Sequence, residues 1–154
     1  MSLSVGDPAP EFTMPTDGGG EVSLSALKGK PVVLYFYPRD DTPGCTKEAC
    51  GFRDAMPDFS AIDAEIIGVS RDTVAKHDKF KAKYELNFTL GADDTGAVTE
   101  AYGVWVEKKM YGKTSMGIER ATFLIDKDGV IQGIWRKVKV PGHVEAVLEA
   151  VKGL

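Results

Sequence analysis

Residues 31–50 read PVVLYFYPRDDTPGCTKEAC. The first seven, Pro31 to Tyr37, are an unbroken apolar run rich in β-branched and aromatic side chains. Such a run predicts a strand buried on both faces. Pro38 to Gly44 reads as a turn, and a helix is expected from near Cys45 towards Asp54. In open α/β sheets the reactive site lies where a central strand ends and a helix begins. Cys45 and Cys50, the only two cysteines, lie just past that point.

Working outward, Glu11 to Met14 and Glu21 to Leu24 read as short extended pieces around a tight turn at Asp17-Gly18-Gly19-Gly20. That glycine run lacks the Gly-Lys-Ser/Thr continuation of a phosphate loop. Glu65 to Ser70 (EIIGVS) is a second buried strand. Thr73 to Tyr84 predicts an amphipathic helix with Val74, His77, Phe80 and Tyr84 near one face. Asp94 to Tyr102 is expected as a short helix. Arg120 to Asp126 is a strand that turns at Lys127-Asp128-Gly129 into Val130 to Val138. A helix closes the chain, with Pro141 at its start, Val144, Val147, Leu148 and Val151 as its apolar stripe and Gly153 past its end. The sum is an α/β fold, a central mixed β-sheet flanked by helices, expected as one domain over residues 1–154.

The composition is that of a globular protein, 43% hydrophobic and 27% charged. A net charge of −4 argues against a nucleic-acid partner, because phosphate binding needs a basic face. The basic clusters Lys79 to Lys83, Lys108 to Lys113 and Arg136 to Lys139 read as solvated faces. No apolar stretch reaches the ~20 residues that span a bilayer. The opening MSLSVGDPAPEF does not read as a secretory signal. A cytoplasmic location is therefore expected, and a structural disulfide is not.

Cys45 falls in the first turn of its helix, where unpaired N–H groups and the helix dipole favour the thiolate, the reactive form. Cys50 lies five residues on. On an ideal helix the two Cα atoms would be about 8–9 Å apart, beyond the ~7 Å limit for a disulfide. A bond between them requires the first helical turns to unwind. The spacing excludes the Cys-x-x-Cys motif and a zinc knuckle. His77 and His143 are distant in sequence and read as helix residues without chemistry, so no metal site is expected.

The pattern Pro38-x3-Thr42-x2-Cys45 resembles the active-site motif of peroxiredoxins. Its continuation to Cys50 is similar to the peroxiredoxin Q branch, also called bacterioferritin comigratory protein. The likeness runs from VGDPAPEF through KGKPVVLYFYPRDDTPGCTKEAC to GIERATFLIDKDG. It implies a thioredoxin-like fold and a peroxidase that reduces hydrogen peroxide and organic hydroperoxides without metal, haem, flavin or nicotinamide. Carried over by position, Cys45 is the peroxidatic cysteine and Cys50 the resolving one, joined in an intramolecular disulfide that thioredoxin reopens. Thr42 would bond the peroxide and Pro38 would shield the pocket. Arg120 matches the family's arginine, although Arg39, Arg53 and Arg71 compete for that role on sequence alone. Glu48 matches a position that orients the arginine. A monomer, or a weak homodimer, is implied.

Two other readings share part of this chemistry. A thiol–disulfide oxidoreductase acting on proteins is disfavoured by the Cys-x4-Cys spacing and by Thr42. A redox-sensing or chaperone-like binding protein would use the same oxidation, but would consume roughly one equivalent of peroxide rather than many.

Overall fold

The chain opens with two short strands, β1 (Thr13–Pro15) and β2 (Glu21–Ser23), paired antiparallel across a helical turn at Asp17–Gly19. The central strand β3 (Val32–Phe36) is buried along its whole length. Helix α1 (Pro43–Ala61) follows, then β4 (Glu65–Ser70), α2 (Val74–Tyr84), β5 (Thr89–Ala92) and the short α3 (Ala97–Ala101). A hairpin, β6 (Trp105–Met110) and β7 (Lys113–Ile118), precedes β8 (Ala121–Ile125), β9 (Ile131–Trp135) and α4 (His143–Lys152). The computed structural model describes residues 3–154, so the first two residues of the N-terminal stretch lie outside the described residues.

Five strands make one mixed sheet in the order β5-β4-β3-β8-β9. Strand β3 runs parallel to β4 and antiparallel to β8. Alternation along β3 divides the core in two. Val33, Tyr35 and Tyr37 face a cluster that includes Phe52 and Phe59 of α1, Phe80 of α2 and Val147 of α4. Val32, Leu34 and Phe36 face the other side, with Phe12, Ile67, Tyr102 and Phe123. Helices α1 and α4 thus cover one face, while the N-terminal hairpin and α3 lie towards the other. No helix among the described residues is long and apolar enough to cross a membrane.

The expected mixed sheet is present, with three differences. Helix α1 runs to Ala61 rather than ending near Asp54, and it passes through Pro57. Proline offers no N–H to the carbonyl four residues back; the freed Arg53 carbonyl accepts instead from the Asn87 side chain at 3.2 Å. Strand β5 and the β6–β7 hairpin were not expected. The segment read as a solvated basic face, Lys108 to Lys113, is the end of that hairpin, with Tyr111 and Gly112 both at positive φ in the turn (54° and 75°).

Candidate active site

The register of β3 explains why a residue 75 positions away reaches Cys45. Phe36 pairs with Ala121 in the antiparallel ladder, so the residue before β8 sits beside the end of β3. That residue is Arg120. Its carbonyl accepts from the Val138 amide at 3.0 Å, which fixes its backbone.

Cys45 is in the first turn of α1, capped by Thr42 with Pro43 at the first helical position. Proline there costs nothing, since its missing N–H would have had no partner. The first backbone bond of the helix runs from the Thr46 amide to the Thr42 carbonyl, 2.8 Å. The amides of Gly44 and Cys45 precede it and belong to the unpaired set at a helix start. Cys45 is 2% exposed and free, and Cys50 is half-buried and also free. Both lie on one continuous helix, as the spacing requires.

Arg120 joins Cys45 to Glu48. Its Nη2 donates to Cys45 Sγ at 3.3 Å and its Nη1 to Glu48 Oε1 at 2.7 Å. The approach depends on Gly44: a Cβ there would stand 3.1 Å from Arg120 Nη2. Of the competing arginines, Arg53 binds Asp54 and the Tyr84 carbonyl. Arg71 binds Thr99 and the Gly96 carbonyl and stacks on Trp105, 3.4 Å from the ring centre. Arg39 is exposed.

Glu48 is completely buried. Burial pushes its carboxyl up to about 7 in spite of the Arg120 charge and hydrogen bond. Its second oxygen, Oε2, has no partner among the described residues. His143 Nε2 lies 4.0 Å from that oxygen and instead contacts Thr122 Oγ1 at 2.7 Å. Burial and the Arg120 charge push His143 down to about 4. The ring is therefore neutral near pH 7, and no ion pair with Glu48 forms there. His143 was not assigned to the site from sequence; 95 residues separate it from Glu48, and no local pattern links them.

Thr42 and Pro38 line a cleft of about 650 Å³ together with Arg39, Arg71, Trp105, Lys108, Met116 and Ile118, among others. The Thr42 hydroxyl donates to the Arg39 carbonyl at 3.0 Å, which leaves its oxygen with acceptor capacity. Pro38 is exposed at the wall of the cleft rather than sealed inside it. The unexpected hairpin supplies Trp105, Lys108, Met116 and Ile118, and so builds half of the cleft. This arrangement sets a cysteine against a cation and a helix start; Cys45 and Arg120 do not themselves line the cleft, whose link to the helix start is Thr42. Such a site can stabilise negative charge that develops near the sulfur.

Comparison with known proteins follows the same line. The model of the AhpC/TSA family matches residues 5–134. Peroxiredoxin Bcp of Bacillus subtilis is 52% identical over 154 residues, covering 100% of this chain and 98% of that protein. Peroxiredoxin Bcp of Escherichia coli is 43% identical over 150 residues, covering 97% and 96%. A solved Xylella fastidiosa PrxQ superposes with a TM-score of 0.94 at 39% identity, over 99% of this chain and 98% of that one. The bacterioferritin comigratory protein of Xanthomonas campestris, solved in trapped-intermediate and ligand complexes bearing on its alkyl peroxide reduction, gives 0.89 at 46% identity, over 92% and 90%. With its thioredoxin-type sheet and a cysteine held by an arginine at the head of α1, the chain belongs to the AhpC/TSA family and, within it, to the Bcp/PrxQ peroxiredoxins, thiol peroxidases that reduce peroxides.

Proposed function

We propose that Cys45 is the peroxidatic cysteine, that Cys50 resolves it through an intramolecular disulfide, and that a thioredoxin-type dithiol recycles the enzyme. The observation that carries this reading is the 3.3 Å contact of Arg120 on Cys45 Sγ at the start of α1. The Cys45 thiolate attacks the terminal oxygen of ROOH. An S–O bond forms as the O–O bond breaks, and the leaving RO⁻ takes a proton to become ROH. Arg120 and the first-turn amides stabilise the charge that grows on the oxygens. Thr42 Oγ1, whose own O–H donates to the Arg39 carbonyl, accepts a hydrogen bond from the peroxide O–H. The Cys50 thiolate then attacks the sulfenic sulfur; the S–S bond forms and hydroxide leaves as water. Thiol–disulfide exchange with the dithiol returns both cysteines to thiols and leaves the reductant as its disulfide.

The cleft supports organic hydroperoxides as well as hydrogen peroxide, because Trp105, Met116 and Ile118 offer apolar wall that hydrogen peroxide alone does not need. Because both cysteines belong to one chain, the cycle is complete in a monomer, and a reducing, cytoplasmic setting suits it. Cys50→Ser tests the resolving role. The first turnover is expected to survive and thioredoxin-driven recycling to stall, with Cys45 passing on to sulfinic acid under excess peroxide, visible by mass spectrometry. In the wild type, oxidation should raise hydrogen exchange at the Thr46 to Cys50 amides, since the disulfide cannot close on an intact helix. Undiminished recycling without Cys50, or equal protection of those amides in the two states, would remove Cys50 from the scheme.

A further inference from the structure

His77 lies on α2 with no exposed surface. Its Nδ1 is 2.6 Å from Asp40 Oδ2 and its Nε2 is 2.9 Å from the Gly91 carbonyl of β5. A carboxylate and a carbonyl are both acceptors, so the ring must bring a proton on each nitrogen. A neutral ring would leave one lone pair facing another in the core. The remaining groups around the ring agree. The other Asp40 oxygen, Oδ1, accepts from the Tyr37 hydroxyl at 2.5 Å. Burial holds that phenol well above its ordinary range, so it stays a donor. Asp72, in the turn before α2, adds negative charge. Burial alone would push His77 down, but the hydrogen bond and charge of Asp40, the Gly91 carbonyl and the Asp72 charge together hold the group above its ordinary 6.5.

Asp40 belongs to the turn that carries Pro38 and Thr42 into α1. Its amide donates to Asp72 Oδ2 at 2.7 Å, and the same oxygen accepts from the Ser70 hydroxyl at 2.7 Å. The adjacent Asp41, at φ 60°, reaches Lys83 and Tyr84 of α2. Those contacts are exposed and contribute little. The buried Asp40–His77 pair is the anchor of this turn.

We propose that His77 is a positioning residue for the peroxidase reaction: as an imidazolium it clamps Asp40 and so holds Pro38 and Thr42 in place over the head of α1. The clamp favours the arrangement that meets peroxide and opposes the unwinding that lets Cys50 reach Cys45. A histidine held above its unfolded value stabilises fully below pH 6.5 and loses that contribution as pH rises through the folded value. Raising the pH through that value therefore slows the peroxide step relative to the thiolate trend and speeds disulfide formation. The second effect rests on the resolving role proposed above; the first does not.

The test combines NMR of the histidine rings with rapid-mixing kinetics on the full chain, for the wild type, Asp40→Asn and His77→Leu. His143, neutral across the range, serves as the reference ring. In the wild type the His77 midpoint should lie above 6.5, with disulfide formation accelerating through the same midpoint. Asp40→Asn, nearly isosteric, should lower that midpoint and carry the kinetic step down with it. His77→Leu should lose the step and form disulfide faster at low pH, on the order of tenfold, the factor held by one hydrogen bond to a charged group. Profiles of Asp40→Asn that superpose on the wild type while its His77 midpoint moves would overturn the positioning role. If the wild type forms no disulfide at any pH, the resolving role fails. The peroxide step then decides alone: separated profiles sustain the clamp and superposed ones end it.

Discussion

Cys45→Ser is expected to abolish peroxide turnover and to leave the fold standing. The loss should be on the order of 10³-fold or more, as for removal of a nucleophile elsewhere. A serine hydroxyl is not appreciably ionised near neutral pH, and neither the helix start nor Arg120 can make it so. The cost to the fold is small because the site already suits a polar atom. Cys45 is 2% exposed, and its sulfur accepts from Arg120 Nη2. A serine oxygen there keeps a donor, so the penalty should stay within about 1–2 kcal/mol. Peroxide consumption measured beside denaturant unfolding separates the two effects. Retention of more than a few per cent of the rate by a folded variant would mean that another group attacks the peroxide.

Much of this site was legible because its informative residues are close in sequence. The strand from Pro31 to Tyr37, the turn and the first helical turn carry Pro38, Thr42, Cys45, Glu48 and Cys50 within 13 residues, Pro38 to Cys50. Strand β4 matches its expected limits, Glu65 to Ser70, because a continuous apolar run has clear ends. Other features depend on distant partners. Helix α1 continues past Pro57 with the freed Arg53 carbonyl paired by the distant Asn87 side chain. Strand β5 is short and acquires its identity from parallel pairing with β4. The β6–β7 turn places Tyr111 at positive φ where asparagine or glycine would have announced a hairpin. The lysines around it suggested solvent, which the exposed turn bears out, but gave no sign of the strand pairing. Glycine at position 51 has a packing duty that depends on a distant partner, since a Cβ there would meet Val144 Cγ2 of α4 at 3.0 Å. The two histidines show the same limit. His77 and His143 make their contacts with Asp40 and Thr122 across the fold, and no spacing in the sequence reports either.

Arg120→Met should lose activity and stability together, and pH separates the two. The substitution removes the donor on Cys45 Sγ, for which a fall of roughly 10²–10³ in the peroxide rate is expected. It also removes the only counter-charge hydrogen-bonded to Glu48 among the described residues, a carboxyl with no exposed surface. Burial already holds Glu48 at about 7 against the pull of Arg120; without that pull it moves higher. An acid held above its unfolded value favours the fold fully below that unfolded value, and the contribution is lost as pH rises through the folded one. The variant should thus unfold near wild-type denaturant concentrations at about pH 5, where Glu48 is protonated in both. It should fall behind at alkaline pH by up to about 3–5 kcal/mol, the cost of an orphaned buried charge. His143 gives no relief there: burial, the larger of the two causes that hold its ring at about 4, remains when Arg120 is gone. Adding Glu48→Gln to Arg120→Met should restore stability at alkaline pH and leave the peroxide rate low. Equal destabilisation of Arg120→Met at both ends of the pH range would show that Glu48 is not the group left behind. Recovery of the rate in the double variant would show that Arg120 acts on Cys45 only by neutralising Glu48.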